Sequence, residues 1–117
     1  MNYVVIPARW SSSRLPGKPL KKIGSKPMIQ WVYESCKKSN ADFTFIATDS
    51  EKIRDQVLEF NGQVIMTSVD HKTGTDRIHE AITKINCHEE DLIINVQGDE
   101  PFISVSYTHL RAHETSL

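Results

Sequence analysis

Short runs of apolar, mostly β-branched residues alternate along the chain with amphipathic helical segments, and this alternation constrains the fold more than any other feature. The apolar runs typical of strands cover residues 3–6, 43–47, 64–66 and 92–96. Helical stripes lie between them, at residues 28–36, 53–60 and 78–85. Because the order is βαβαβαβ with short connections, the sequence predicts an α/β fold, a mostly parallel sheet with helices on both faces.

The first predicted strand breaks at Pro7 into a polar, basic loop at residues 9–18. Arg9, Arg14 and Lys18 place three positive charges there, among serines and a glycine. Open α/β sheets bind ligands at the carboxyl ends of their strands, and arginine and lysine suit phosphate oxygens. The loop therefore predicts a polyphosphate site, and a solvated basic turn is the alternative. An ATPase P-loop and a dinucleotide G-x-G-x-x-G motif are excluded, because the glycine spacing that they need is absent.

The charge is distributed unevenly along this chain of 117 residues, which is at most one domain. Residues 1–38 contain eight Lys/Arg and one acid, whereas residues 39–103 contain five Lys/Arg and thirteen acids. A basic opening could bind nucleic acid, but aromatic residues for base stacking are sparse there, which favours a compact phosphate ligand. For that reason we expect no nucleic-acid partner. Apolar stretches are too short to span a bilayer, so we expect no membrane partner either. Cys36 and Cys87 are too few for a disulfide framework, which favours a reducing cytoplasm.

Two polar stretches follow later strands, at the edge of the sheet where the basic loop is expected. T-G-T-D-R at residues 73–77 precedes the third helix, and Asp99 comes just after the fourth strand. Mg²⁺ takes one or two protein carboxylates and fills its octahedron with phosphate oxygens and water. Asp99 is therefore predicted to bind Mg²⁺, the alternative being a polar turn.

Three separated motifs resemble the sugar nucleotidyltransferases, and most of all the family of 3-deoxy-manno-octulosonate cytidylyltransferases (CMP-Kdo synthetases). They are I-P-A-R with S-R-L-P-G-K-P-L at residues 6–20, T-G-T-D-R at 73–77 and N-V-Q-G-D-E-P at 95–101. The resemblance implies a Rossmann-like, nucleotide-diphospho-sugar transferase-like fold that is incomplete here. It also implies transfer of CMP from CTP to Kdo with release of pyrophosphate, Mg²⁺ as cofactor, a role in lipopolysaccharide biosynthesis and, for the full-length family, a homodimer.

The same resemblance assigns roles to individual residues. Catalytic roles fall to Arg14, Lys18 and Asp99, with Asp99 as the metal ligand. The nucleotide-binding residues that it implies are Pro7, Ala8, Arg9, Arg14, Lys18, Thr73, Gly74, Thr75 and Gln97. Thr73 stands where the family often has serine. Two other functions remain open: a cytidylyltransferase of the sialic-acid type, and a non-catalytic fragment that binds nucleotide or nucleic acid.

The last segment, residues 104–117, has no helical stripe and departs from the family pattern. We therefore divide the chain into residues 1–103, the N-terminal nucleotide-binding part, and a tail at residues 104–117 that we interpret as non-native. We expect the tail to pack little against residues 1–103, so that the fourth strand is left as an unpaired edge. We also expect the chain as written not to turn over.

Overall fold

The computed structural model describes residues 1–10, 17–39, 41–70, 74–88, 90–96 and 108–111, with the backbone alone at residues 74–75 and 108–111. The strands are β1 (Asn2–Ala8), β2 (Lys22–Ile23), β3 (Lys26–Pro27), β4 (Phe43–Thr48), β5 (Val64–Met66), β6 (Leu92–Asn95) and β7 (Thr108–Arg111). The helices are α1 (Met28–Lys37), α2 (Glu51–Glu59) and α3 (Gly74–Lys84), preceded by a short 3₁₀ helix at Lys18–Leu20. Of the helices that the structure describes, none has the length and apolar character needed to cross a bilayer.

Five strands form the main sheet, in the order β5-β4-β1-β6-β7. β5, β4, β1 and β6 are parallel to their neighbours, and β7 runs antiparallel beside β6. β2 and β3 form a separate small antiparallel hairpin that leads into α1. The prediction of a mostly parallel α/β sheet is confirmed.

Helices cover both faces of this sheet, because successive side chains of a strand point to opposite sides. α1 and α2 pack on one face, where Ile6, Ile29 and Ile53 are fully buried in one apolar cluster. α3 packs on the other face, in a second cluster that contains Val5 and Ile78. Each face therefore has its own core, as the alternating pattern predicts.

β1 continues through Pro7 to Ala8, so the prediction that the strand breaks at Pro7 is wrong. The Val96 N–H donates to the Val5 carbonyl (3.2 Å), which shows that the polar backbone groups of Val5 face β6. Pro7 lies two residues further on and turns its ring nitrogen to the same side. The described pairing of β1 with β6 ends at Val5 and Asn95, so the ladder there does not need the N–H that proline lacks.

The tail contributes a strand to the described sheet. β7 pairs with β6, with Ile93 opposite Leu110 and Ile94 opposite His109. The expectation that residues 104–117 pack little and leave β6 unpaired is therefore wrong for Thr108–Arg111. An antiparallel edge strand is held by backbone hydrogen bonds, which need no amphipathic pattern in the sequence.

Candidate functional site

A cleft of about 510 Å³ opens at the carboxyl edge of the sheet, beyond the ends of β1, β4 and β5. It is lined by Arg9, Trp10, Asp49, Ser50, Glu51, Lys52, Val69 and Arg77. The cleft combines cationic, carboxylate, aromatic and hydroxyl groups. This is the edge at which open α/β sheets bind ligands, which agrees with the position predicted from the sequence.

The structure describes some of the predicted site residues and not others. Arg14, Thr73, Gln97 and Asp99, and with Asp99 the predicted Mg²⁺ site, lie outside the described residues. The structure describes the remaining predicted residues, with the backbone alone for the last two: Pro7, Ala8, Arg9, Lys18, Gly74 and Thr75.

Of these, Pro7 and Ala8 form the end of β1, and Arg9 follows them as an exposed residue that lines the cleft. Lys18 is half-buried and begins the 3₁₀ helix. α3 already begins at Gly74, so the described part of the T-G-T-D-R motif is the first turn of a helix and does not precede it.

Arg77, in the first turn and a half of α3, is the most buried charged residue of the cleft, with 2% of its surface exposed. Its Nη1 donates to Thr67 Oγ1 and to the Ser68 carbonyl (3.2 Å). Its Nη2 donates to Asp49 Oδ2 (3.3 Å), which completes an ion pair. Arg77 thus ties the start of α3 to the residues that follow β4 and β5, and it fixes one wall of the cleft.

A second set of contacts holds the segment after β5 against α3. Glu80 Oε1 accepts a hydrogen bond from the Ser68 N–H (2.9 Å). Lys84 Nζ lies 3.1 Å from Glu80 Oε2 and donates to the Met66 carbonyl. Because this segment is held at Met66 and Ser68, exposed Val69 is carried on a fixed backbone at the cleft wall.

Trp10 connects the described ends of the predicted phosphate loop with α2. The Gly17 N–H donates to the Trp10 carbonyl (2.7 Å). Gly17 has a φ of 74°, and a Cβ added to it would lie 2.8 Å from the Trp10 ring. Lys52 Nζ lies 4.8 Å from the centre of the same ring.

The amino-terminal end of α2 also opens onto the cleft. Ser50 Oγ accepts a hydrogen bond from the Ile53 N–H (3.2 Å), as an N-cap residue does. The positive end of the helix dipole therefore adds to the charges of Arg9 and Lys52. Together these groups can hold an anionic ligand beside a polar or planar one.

Of the residues that line this cleft, Arg9 is the one that the sequence named individually as nucleotide-binding. Trp10, Asp49 and Lys52 received no binding role, and Arg77 received one only as part of the T-G-T-D-R loop, which the resemblance places around the cytosine. Asp49 was recognisable from the sequence, because it directly follows β4 just as Arg9 follows β1. Arg77 is the last residue of the T-G-T-D-R motif, but nothing in the sequence shows that its side chain turns inward to Asp49.

Other polar groups do not add a metal centre to the described part of the chain, where no group of three or more His, Cys, Asp or Glu residues could hold a metal ion. Burial raises the pKa of the Cys36 and Cys87 thiols to about 11, so both are protonated at neutral pH. Among described residues, the His79 Nδ1 and Asn95 Oδ1 atoms are buried without a hydrogen-bond partner. Asn95 is the last residue of β6 and stands four positions before the predicted metal ligand, Asp99, in the sequence.

Comparison with known proteins identifies the family. A family model described as Cytidylyltransferase matches residues 3–114. The 3-deoxy-manno-octulosonate cytidylyltransferase of Saccharophagus degradans is 55% identical over 104 residues, which cover 88% of this chain and 41% of the relative. The corresponding protein of Francisella tularensis (strain SCHU S4) is 53% identical over 103 residues, 88% of this chain and 41% of the relative. The chain thus spans about two fifths of the length of these curated relatives.

Solved structures agree. A CMP:2-keto-3-deoxy-manno-octonic acid synthetase complexed with CTP is 48% identical, with a TM-score of 0.81 over 87% of this chain and 42% of that chain. A cytidylyltransferase from Leptospira borgpetersenii is 25% identical, with a TM-score of 0.71 over 86% of this chain and 42% of that one. The resemblance predicted from the three motifs is confirmed, and this chain belongs to the cytidylyltransferase family.

Proposed function

We propose that this chain supplies the nucleotide-binding part of an enzyme that transfers CMP from CTP to Kdo, with release of pyrophosphate, in lipopolysaccharide biosynthesis. The observation that carries the proposal is the cleft at the carboxyl edge of the sheet, with Arg9 and Lys52 on its lining, in a chain about half identical to proteins of that name. The two free cysteines suit the reducing cytoplasm, where we place the reaction.

In this proposal the triphosphate lies along the basic side of the cleft. Arg9 and Lys52 line it. Lys18 is not among the lining residues, but it follows Gly17, whose N–H donates to the carbonyl of the lining residue Trp10. Arg14 belongs to the same group by resemblance. The cytosine then lies between the end of β1, at Pro7 and Ala8, and the start of α3, whose position Arg77 fixes.

The chemistry is the attack of a sugar hydroxyl on the α-phosphorus of CTP, in line with the departing pyrophosphate. No covalent enzyme intermediate is needed, so positioning and electrostatic stabilisation supply the rate. Lys18 and Arg14 hold the leaving pyrophosphate and offset the charge that develops on it. Asp49 is already paired with Arg77, so we give it a structural role and no proton transfer.

Oxygen-bearing side chains at and after the end of β6 suit the proposed Mg²⁺. β6 is parallel to β1, and in the sequence Asp99 follows the described residue Val96 by three positions. Asn95 Oδ1 is a buried oxygen without a partner among the described groups, and side-chain amide oxygens are among the ligands that hard cations bind. Asp99 would hold the ion, which when bound supplies charge stabilisation at the phosphate oxygens.

Calorimetric titration with nucleoside triphosphates in the presence of Mg²⁺ tests the base assignment. CTP should bind at least about tenfold more tightly than ATP, a difference of about 1.4 kcal/mol. Arg9→Ala should weaken CTP binding, whereas Arg54→Ala should not, because Arg54 pairs with its neighbour Asp55 outside the cleft. Equal affinity for CTP and ATP would leave only a generic phosphate site.

Pyrophosphate release from CTP and Kdo tests the reaction itself. The relatives are more than twice as long as this chain, so we propose that residues 1–117 alone bind CTP and turn over poorly. Turnover of about 1 s⁻¹ or faster by this chain would contradict the expected poor turnover and would support the binding of CTP.

A further inference from the structure

We propose that Trp10 is a positioning residue, which fixes Gly17 and thereby holds Lys18 in place for the triphosphate of CTP. This inference rests on the proposed function and adds to it a residue that touches none of the reacting atoms. It depends on three observations at Trp10: the hydrogen bond from the Gly17 N–H, the ring that occupies the space a Gly17 side chain would take, and the contact with Lys52.

The contact between Trp10 and Gly17 leaves no room for a side chain at residue 17. The Gly17 N–H donates to the Trp10 carbonyl (2.7 Å). A Cβ on Gly17 would lie 2.8 Å from one carbon of the Trp10 ring, closer than real Cβ atoms approach their neighbours, and 3.0 and 3.1 Å from two more, which is tighter than most real contacts. The indole ring therefore fixes where the backbone of Gly17 runs.

Gly17 in turn determines the position of Lys18. Gly17 is the N-cap residue of the 3₁₀ helix, and its carbonyl accepts a hydrogen bond from the Leu20 N–H (2.9 Å). Pro19, in the middle of this helix, is buried, which prevents the helix from tilting freely. A displacement of Gly17 must therefore displace Lys18.

Trp10 itself is anchored on both sides of the cleft. It comes two residues after the end of β1, and its ring packs against the α1 and α2 core. Lys52, in the first turn of α2, holds its ammonium group 4.8 Å from the centre of the ring. Since Trp10 and Lys52 both line the cleft, a ligand there meets the ring or changes its cation contact.

Gly17→Ala and Gly24→Ala form a matched pair that isolates the ring contact. Both glycines have a left-handed backbone, with φ of 74° and 67°, so alanine is strained at either position. A Cβ on Gly24 meets nothing within 4 Å, whereas one on Gly17 meets the Trp10 ring. We expect Gly17→Ala to raise the Kd for CTP about tenfold, and Gly24→Ala to change it by less than about twofold, each measured where circular dichroism shows a folded chain.

A double-mutant cycle assigns the difference to Trp10. Trp10→Ala should also raise the Kd for CTP about tenfold, and adding Gly17→Ala to it should cost less than about threefold more, because the clash has gone. Trp10→Phe, which keeps an aromatic ring, should restore binding to within about threefold of the reference. Full additivity of the two substitutions would overturn the proposal.

Fluorescence adds a measurement that a purely structural role would not change. The chain has two tryptophans, so Trp31→Phe leaves Trp10 as the reporter and serves as the reference protein. CTP should alter its emission, and Lys52→Met should reduce that change. If the reference binds no CTP, the proposed function fails and the positioning role fails with it. If the reference binds CTP without a change in emission, or if Gly17→Ala binds CTP as Gly24→Ala does, the positioning role alone is overturned.

Discussion

Aspartates stand at both ends of the parallel strands, and the two ends use them differently. At the amino ends, Asp42 precedes β4 and Asp91 precedes β6. Asp42 Oδ2 accepts a hydrogen bond from the Asn2 N–H (2.7 Å), and Asp91 pairs with the amino group of Met1 (3.0 Å). At the carboxyl end, Asp49 follows β4 and pairs with Arg77 at the wall of the cleft.

The direction of the chain explains this difference. At the amino end, carboxylates accept from backbone N–H groups where the chain enters the strands: Asp42 from Asn2, the first residue of β1, and Asp91 from His88 in the loop before β6 (2.8 Å). At the carboxyl end the chain leaves the strands and α2 and α3 begin there, with the positive ends of their dipoles. Charged groups at the amino end therefore stabilise the fold by binding backbone and terminal groups, whereas those at the carboxyl end border a ligand site.

Arg77→Met should have the largest effect on stability, because it removes one partner of a buried ion pair and leaves Asp49 without compensation. We expect the free energy of unfolding to fall by about 3 kcal/mol, the lower end of the range for such pairs, since Asp49 keeps some contact with solvent. Urea denaturation measures it. Arg54→Met is the control, because its exposed pair with Asp55 should contribute less than about 1 kcal/mol.

Adding Asp49→Leu to Arg77→Met sharpens the test. The double variant buries no unpaired charge, so it should recover part of the lost stability. A double variant as unstable as the sum of its single substitutions would show that the pair is not the source of the effect.

Lys18→Ala should show that the carboxyl end serves a ligand and not mainly the fold. Losing a charge-assisted hydrogen bond to phosphate should weaken CTP binding by about 1.5–3 kcal/mol, or roughly ten- to hundredfold. Lys21→Ala is the matched control, since Lys21 is exposed and directly follows the 3₁₀ helix that Lys18 begins. Calorimetry with CTP and Mg²⁺ measures both. Equal losses would mean that the net charge of the segment matters and not the position of Lys18.

The sequence predicted those parts of the fold and site that depend on local patterns. Residues 64–66 were predicted as a strand from three apolar residues, and β5 covers those same residues. Arg9 was predicted at the carboxyl edge because strand direction fixes where a following residue lies, and it lines the cleft. β7 was missed because its pairing uses the backbone, and the inward turn of Arg77 was missed because its partner Asp49 is 28 residues away.

Ser50→Ala should have a moderate effect that is confined to stability. Ser50 lines the cleft, but its hydroxyl oxygen already accepts from the Ile53 N–H at the start of α2. Losing this cap should lower the free energy of unfolding by about 1 kcal/mol, and Ser50→Asp should restore most of it. Thermal unfolding measures the change. A loss of CTP affinity in folded Ser50→Ala protein would instead give the hydroxyl a direct role in binding.

Asp91→Asn should have the smallest effect at neutral pH and a visible one in acid, at the end of the sheet opposite the cleft. The hydrogen bond from the His88 N–H, followed by that from the Met1 amino group, lowers the pKa of the Asp91 carboxyl in the folded chain. A group with a lowered folded pKa stabilises the fold above its unfolded pKa of about 3.9, and this contribution is lost as the pH falls through the folded pKa.

The stability of the unsubstituted chain should therefore fall in acid, below about pH 4, more steeply than that of Asp91→Asn, which has no carboxyl to protonate there. Urea midpoints measured between about pH 2.5 and 6 give the slope of stability against pH for both proteins. Asp55→Asn is the control, because Asp55 is exposed and pairs only with its neighbour Arg54 among the described contacts, so this variant should keep the slope of the parent chain. CTP affinity at neutral pH should be unchanged in Asp91→Asn, since Asp91 lies at the amino end of β6 and the cleft lies beyond the carboxyl ends of the strands. A weakened affinity for CTP would break the division between a closed amino end and a ligand-binding carboxyl end.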